Sequence, residues 1–165
     1  MSGGTALLRT EHLKKYFSTS SGMLHAVDDV TLSIEEGKTL GVVGESGCGK
    51  STLAKCILGL VKDHDGAVRL NVPAPQMVFQ DPYSSLNPTK TVGWILEEPL
   101  RAAGVSDRTQ RLSRAADMAA QVGLDPEHLD RRPAQLSGGQ RQRVAIAAAL
   151  IQGSRFIVLD EPVSA

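Results

Sequence analysis

The chain has 165 residues, 41% of them apolar, and its 18 basic residues balance 18 acidic ones. That is a one-domain length with enough apolar content for a core, and the neutral balance, with no basic arm or acidic tail, does not suggest a bulk electrostatic grip on nucleic acid. Cys48 and Cys56 form no C-x-x-C pair, which suits a reducing compartment. Met1–Thr10 lacks a signal-peptide pattern, and the longest apolar run, Val144–Ile151, is too short to span a bilayer. Any membrane role is expected to come through a partner.

In chain order, Met1–Thr5 is a small polar leader, and Leu7–Leu13 opens a strand, followed by Tyr16 and Phe17. Ser18–Gly22 reads as a loop of turn-forming residues. Ala26–Ile34 alternates apolar and polar residues as a half-buried strand does. After a turn at Glu35–Lys38, Thr39–Val43 is a short apolar strand that runs straight into a glycine loop. Ser51–Leu60 carries Leu53, Ala54, Ile57, Leu58 and Leu60 at helical spacing. Val68, Leu70 and Val72 alternate as a strand broken by Pro73-Ala74-Pro75. Met77–Phe79 is a buried strand ending at Gln80, and Asp81–Pro88 is a turn-rich loop. From Val92 to about Gly123 the pattern is helical, interrupted near Pro99 and Gly104. Asp125–Pro133 is loop-like, Gly138–Gln152 a helix and Phe156–Leu159 a buried strand. Strands alternating with helices predict an α/β core with parallel strands. The block Val92–Ala134 reads as a helical subdomain inserted into a single domain over residues 1–165.

Three motifs carry chemistry. Gly44-Glu45-Ser46-Gly47-Cys48-Gly49-Lys50-Ser51, followed by Thr52, fits G-x-x-x-x-G-K-[ST] between a predicted strand and a predicted helix. Its glycines let successive backbone N–H groups face inward as an anion nest, and the helix start adds partial positive charge. Lys50 supplies a point charge for the β- and γ-phosphates, and Ser51 a hydroxyl for Mg²⁺. The bland alternative is a glycine turn before a helix. Cys48 reads as a small residue that fits the loop, with a redox role as the competing reading. The second motif is Arg155–Pro162: an apolar strand with Asp160 at its carboxyl end, where α/β sheets place ligands and where a carboxylate can hold hydrated Mg²⁺. Glu161, next in line, could polarise an attacking water. In the third, Leu136–Gln140, Ser137 and Gln140 have capping-box spacing. A cap does not need Gly138 and Gly139, which weaken a helix start but leave its N–H groups open to a phosphate.

Together these elements resemble the ATP-binding cassette (ABC) family over nearly the whole chain, with Leu136–Gln140 separating that family from other phosphate-loop NTPases. The resemblance implies a phosphate-loop NTPase core, bound ATP and Mg²⁺, and a head-to-tail dimer with itself or a paralogous ATPase. Each ATP would lie between Gly44–Thr52 of one subunit and Ser137–Gln140 of the other. Gln80 matches the family's glutamine that touches Mg²⁺ and the attacking water, and Tyr16 the aromatic that stacks on adenine, with Phe17 as the competing choice. Ala26–Thr52 and Met77–Pro88 look like the ATPases of dipeptide, oligopeptide and nickel importers. This narrower resemblance implies transmembrane permease subunits, an indirect link to a periplasmic binding protein, and a peripheral position on the cytoplasmic face of the inner membrane. Asp81–Pro88 and the helical block would face the permease, although Asp81–Pro88 also reads as an ordinary surface turn.

Two departures from the family pattern stand out. The stretch Leu60–Gln76 is short, so the accessory sheet is expected to be trimmed. The sequence stops at Ala165, before the family's Leu-Asp and switch histidine, and all four histidines precede Asp160. The expectation is a C-terminally truncated chain with an incomplete central parallel sheet, unpaired strand edges and exposed apolar faces. Alternatives to an importer ATPase are a nucleotide-binding fragment that does not hydrolyse ATP and a soluble ABC ATPase of translation or repair.

Overall fold

The computed structural model describes residues 6–79 and 86–160, and the chain divides into two compact units, residues 1–75 and 76–165.

The first unit is built on an antiparallel hairpin. Strand β1 (Ala6–Thr19) pairs with β2 (Gly22–Glu35) on one edge and with β3 (Asp65–Leu70) on the other. The loop expected at Ser18–Gly22 shrinks to a two-residue turn. Ladder pairing carries both strands through Ser18, Thr19 and Gly22, residues whose local preference alone suggests a loop. The register slips between Thr10 and Leu13, where His12 and Asp29 take positive φ, as in a bulge. Side chains repair the break. Fully buried Thr10 donates to the Val30 carbonyl at 3.0 Å and accepts from Leu32 N–H at 3.1 Å, while His12 N–H donates to Thr31 Oγ1 at 3.0 Å.

Helix α1 (Lys50–Ile57) lays Leu53 and buried Cys56 against Leu13, Val27 and Val68 of this sheet. It ends short of the expected Leu60 because Gly59 adopts φ +68° and Leu60 N–H turns back to the Lys55 carbonyl at 2.9 Å. The strand expected at Thr39–Val43 is chain without regular secondary structure that pairs with no strand among the described residues. Leu40, Val42 and Val43 are accordingly exposed, Val43 by 96%.

The second unit holds the parallel pairing. Strand β4 (Gln76–Val78) runs alongside β5 (Ile157–Leu159) in the register Gln76 to Ile157, Met77 to Val158 and Val78 to Leu159. Helices α2 (Val92–Ala102), α3 (Arg108–Gln121) and α4 (Gly138–Leu150) pack around Val92, Leu96, Leu100, Ala119 and Val144, all essentially inaccessible to solvent. Thr91 and Asp107 cap α2 and α3 through their side chains. The interruption expected at Pro99 does not occur, since α2 continues through it to Ala102, and the Pro99 carbonyl accepts from Ala103 N–H and from the Gln152 side chain. The break comes at Gly104, at φ +83°. Buried Glu97 joins α2 to α3, accepting from Arg101 at 3.1 Å and from Arg111 at 3.2 Å. Short 3-10 turns at Pro126–Asp130 and Pro133–Gln135 lead into α4. Among the described residues no helix is long and apolar enough to cross a membrane.

Candidate functional site

The glycine loop lies in the first unit. Gly47 and Gly49 hold φ of +80° and +100°, and Cys48 N–H closes a turn onto the Glu45 carbonyl at 3.3 Å. Gly49 is required twice over. A Cβ on it would lie 1.8 Å from the Ala26 carbonyl oxygen of β2, so the loop is pressed against the hairpin with no room for a side chain. Gly44 faces Cys48 closely too, its notional Cβ 2.7 Å from Cys48 Sγ.

Gly49 caps α1 in the left-handed conformation without a side-chain hydrogen bond, and the first turn carries no acidic residue. The helix start thus has no side-chain cap from Gly49, and the helix dipole favours an anion there. Lys50 Nζ reaches back across the loop to donate to the carbonyls of Gly44 at 2.9 Å and Glu45 at 2.7 Å. A cation, an uncapped helix start and positive-φ glycines together fit a phosphate chain. Ser51 and Thr52 follow in the first turn of α1, half-buried, while Glu45, Ser46, Gly47 and Cys48 are exposed.

Tyr16 is in the same unit. Its ring stacks on His25 with centroids 4.0 Å apart and planes 20° apart, and its hydroxyl donates to Asp28 Oδ1. That bond pushes the Tyr16 hydroxyl up to about 12 and holds the Asp28 carboxyl below its ordinary range. Phe17, the competing aromatic, is more exposed and carries the Lys15 ammonium over its ring at 4.8 Å. His25 and Asp28 hold Tyr16 in place, and nothing in their spacing signals this.

The remaining candidates lie in the second unit. Asp160 follows β5 at the carboxyl end of the parallel pair and donates its N–H to the Val78 carbonyl at 2.9 Å. Gln80 and Glu161, expected to act on the water and Mg²⁺, lie outside the described residues, as does the Asp81–Ser85 part of the expected permease-facing loop. At α4 the expected capping box is present: Ser137 Oγ accepts from Gln140 N–H at 3.2 Å, and Gln140 Oε1 from Ser137 N–H at 2.9 Å. Nothing lies within 4 Å of a Cβ built on Gly138 or Gly139, and the first turn holds no acidic residue. Both glycines therefore present open backbone to an incoming anion.

Two residues around this turn carry no local sequence signal. Arg141 is buried and donates to the carbonyls of Pro133 at 2.6 Å and Leu136 at 2.7 Å, pinning the chain that enters the helix. His128, also buried, lies against the Gln140 side chain at 3.0 Å.

Comparison with known proteins bears on the family and the fold. The family model described as ABC transporter matches residues 27–164. The chain is 47% identical over 172 residues to the probable D,D-dipeptide transport ATP-binding protein DdpF of Escherichia coli (strain K12), covering 100% of this chain and 56% of that protein. It is 43% identical over 176 residues to the oligopeptide transport ATP-binding protein OppF of Bacillus subtilis (strain 168), covering 96% and 58%. The chain thus spans about half the length of the curated relatives it matches. Among solved structures, the ATP-binding cassette MJ0796, in a dimeric post-hydrolysis state bound to ADP and Pi, superposes with a TM-score of 0.87 at 30% identity, covering 94% of this chain and 74% of that one. The fold is that of an ABC cassette, and the chain belongs to the ABC transporter family of ATP-binding proteins.

Proposed function

We propose that this chain is the nucleotide-binding part of an ATPase subunit that energises an ABC importer of peptides. The observation that carries the reading is the loop Gly44–Thr52, whose uncapped helix start, left-handed glycines and inward-folded Lys50 match a phosphate chain. Relatives named for dipeptide and oligopeptide transport favour peptides over nickel.

In this reading Lys50 leaves the Gly44 and Glu45 carbonyls for the β- and γ-phosphates, and the loop N–H groups take the phosphate oxygens. Tyr16 stacks on the adenine. Mg²⁺, held by Ser51, Asp160 and Gln80, would neutralise phosphate charge. Glu161 and Gln80 orient and polarise the attacking water. Ser137, Gly138, Gly139 and Gln140 face the ATP of a second subunit, its own copy or a paralogue, in a head-to-tail dimer. The dimeric ADP-bound state of MJ0796 supports that assembly. Residues 92–134 form the helical subdomain of a single ATP-binding domain, which would sit at the cytoplasmic face of the membrane on permease subunits.

Lys50→Ala is expected to weaken Mg·ATP binding about 10- to 100-fold, the size of a lost charge-assisted hydrogen bond, measured by titration with a fluorescent ATP analogue. Equal binding by wild type and variant would refute the phosphate-loop assignment. Recovery with ribosomes or DNA rather than permease subunits would refute the importer assignment.

A further inference from the structure

The glycine loop meets the hairpin at Gly49. Residues Glu45–Cys48 are exposed, and Lys50 reaches back to the loop's own carbonyls. Gly49 instead abuts Ala26 of β2, so closely that an added Cβ would overlap the Ala26 carbonyl oxygen and lie 2.9 Å from its carbon. The Gly49 carbonyl in turn accepts from Leu53 N–H at 2.9 Å, the bond that opens α1. Whatever fixes Ala26 therefore bears on both the end of the loop and the start of the helix.

Ala26 is not an ordinary ladder residue. In the register of β1 and β2, Lys15 faces Val27 and Tyr16 faces His25, so Ala26 is the extra residue of a bulge. A bulged residue has no partner across the ladder and takes its position from its neighbours in the chain. Val27 is held by the core, buried in a cluster with Leu13 and Cys56. His25 has no such burial, since its side chain is 53% exposed and β2 is an edge strand of its sheet. Its described contacts are the Tyr16 ring, stacked on it at 4.0 Å, and the Asp28 carboxylate, 3.8 Å from its Nδ1. Asp28 also accepts from the Tyr16 hydroxyl, which fixes the ring that His25 lies on.

We propose that His25 is a positioning residue for phosphate binding. Stacked on Tyr16, it holds the exposed side of the bulge, so that the Ala26 carbonyl keeps Gly49 and the first turn of α1 in the geometry that meets a phosphate chain. The proposal rests on the reading that Gly44–Thr52 holds the phosphates. It gives His25 a role apart from that of Tyr16: Tyr16 meets the base in that reading, while His25 acts on the phosphates through Ala26. The flat ring is what matters at position 25, because the stack, not a charge, supplies the hold. Another aromatic ring there serves equally.

The test compares Mg·ATP with Mg·tripolyphosphate, which has the phosphate chain and no base. Wild type, His25→Ala and His25→Phe are titrated by calorimetry at a temperature well below each Tm. His25→Ala is expected to weaken Mg·tripolyphosphate about 2- to 10-fold, the size of a lost aromatic pair, and Mg·ATP at least as much. His25→Phe is expected to bind both as wild type does. A loss confined to Mg·ATP would place the effect of His25 on the base and overturn the proposal. Wild-type affinities in His25→Ala, whatever its Tm, would overturn it too, and so would a His25→Phe as weak as His25→Ala. Wild type that binds Mg·ATP but not Mg·tripolyphosphate would overturn the proposal alone, since the phosphates then add nothing for His25 to position. Wild type that binds neither would overturn the phosphate-loop reading and the proposal with it.

Discussion

Two of the described helices have glycine where they start, and they start differently. Helix α1 starts after left-handed Gly49 with no side-chain cap, and its lysine is folded back over the loop. Helix α4 starts after Ser137 with a complete capping box, and its two glycines stand in open space. The start of α1 has no side-chain cap and carries a cation beside it. A capped start satisfies itself until something better arrives. The first suits a site that holds a nucleotide within one subunit, and the second a surface that engages only when an anion is presented to it.

The difference can be broken most sharply at Gly49. Gly49→Ala forces a Cβ into the Ala26 carbonyl at a positive φ and is expected to cost about 3 kcal/mol of stability, read by urea unfolding. Gly139→Ala enters open space at a helical position and is expected to stabilise by about 0.5–1 kcal/mol, while weakening any phosphate contact there. If both substitutions moved stability in the same direction, the two helix starts would not differ as described.

Arg141→Ala removes the buried clamp beneath the capped start. It is expected to cost about 2–3 kcal/mol, because two buried carbonyls lose a charged donor. A thermal melt unchanged from wild type would show that α4 enters without it. Ser137→Ala is expected to cost about 1 kcal/mol, or about 2–4 °C in Tm. Ser46, which caps nothing among the interactions described for α1, should tolerate alanine with no measurable shift.

The smallest effect lies beside the uncapped start. The Tyr16 hydroxyl, bonded to Asp28, is pushed up from 10.0 to about 12, so its stabilising contribution is complete below 10 and fades as pH climbs through about 12. The Asp28 carboxyl is held below its ordinary 3.8, chiefly by the same bond, so its contribution is present above that value and fades as pH falls below it. Tyr16→Phe should return Asp28 toward the ordinary carboxylate range in an NMR titration. An unmoved Asp28 would mean that the bond is not what lowers it.

Features that depend on neighbours in sequence are legible in the sequence itself. The glycine loop and the Ser137–Gln140 box rest on spacings of a few residues, and both were found where expected. Features that depend on distant partners were not legible. The hairpin absorbed Ser18–Gly22 because pairing with β2 outweighed local turn preference, and Pro99 was tolerated inside α2 where sequence pattern suggested a break. Arg141 reads as one more charge in an Arg-Gln-Arg run, and only the fold brings the carbonyls of Pro133 and Leu136 to it. Thr39–Val43 has a strand's composition but no partner among the described residues to complete it.

Cys48, packed against Gly44 in an exposed loop 3.9 Å from Lys50 Nζ, also supplies a ready-made reporter. The other thiol, Cys56, is sealed in the core and pushed up by burial, so an alkylating reagent meets one cysteine and not the other. If Gly44–Thr52 holds the nucleotide as proposed, the rate at which the unsubstituted chain is labelled at Cys48 falls on binding and reads out occupancy of the loop with no fluorescent nucleotide.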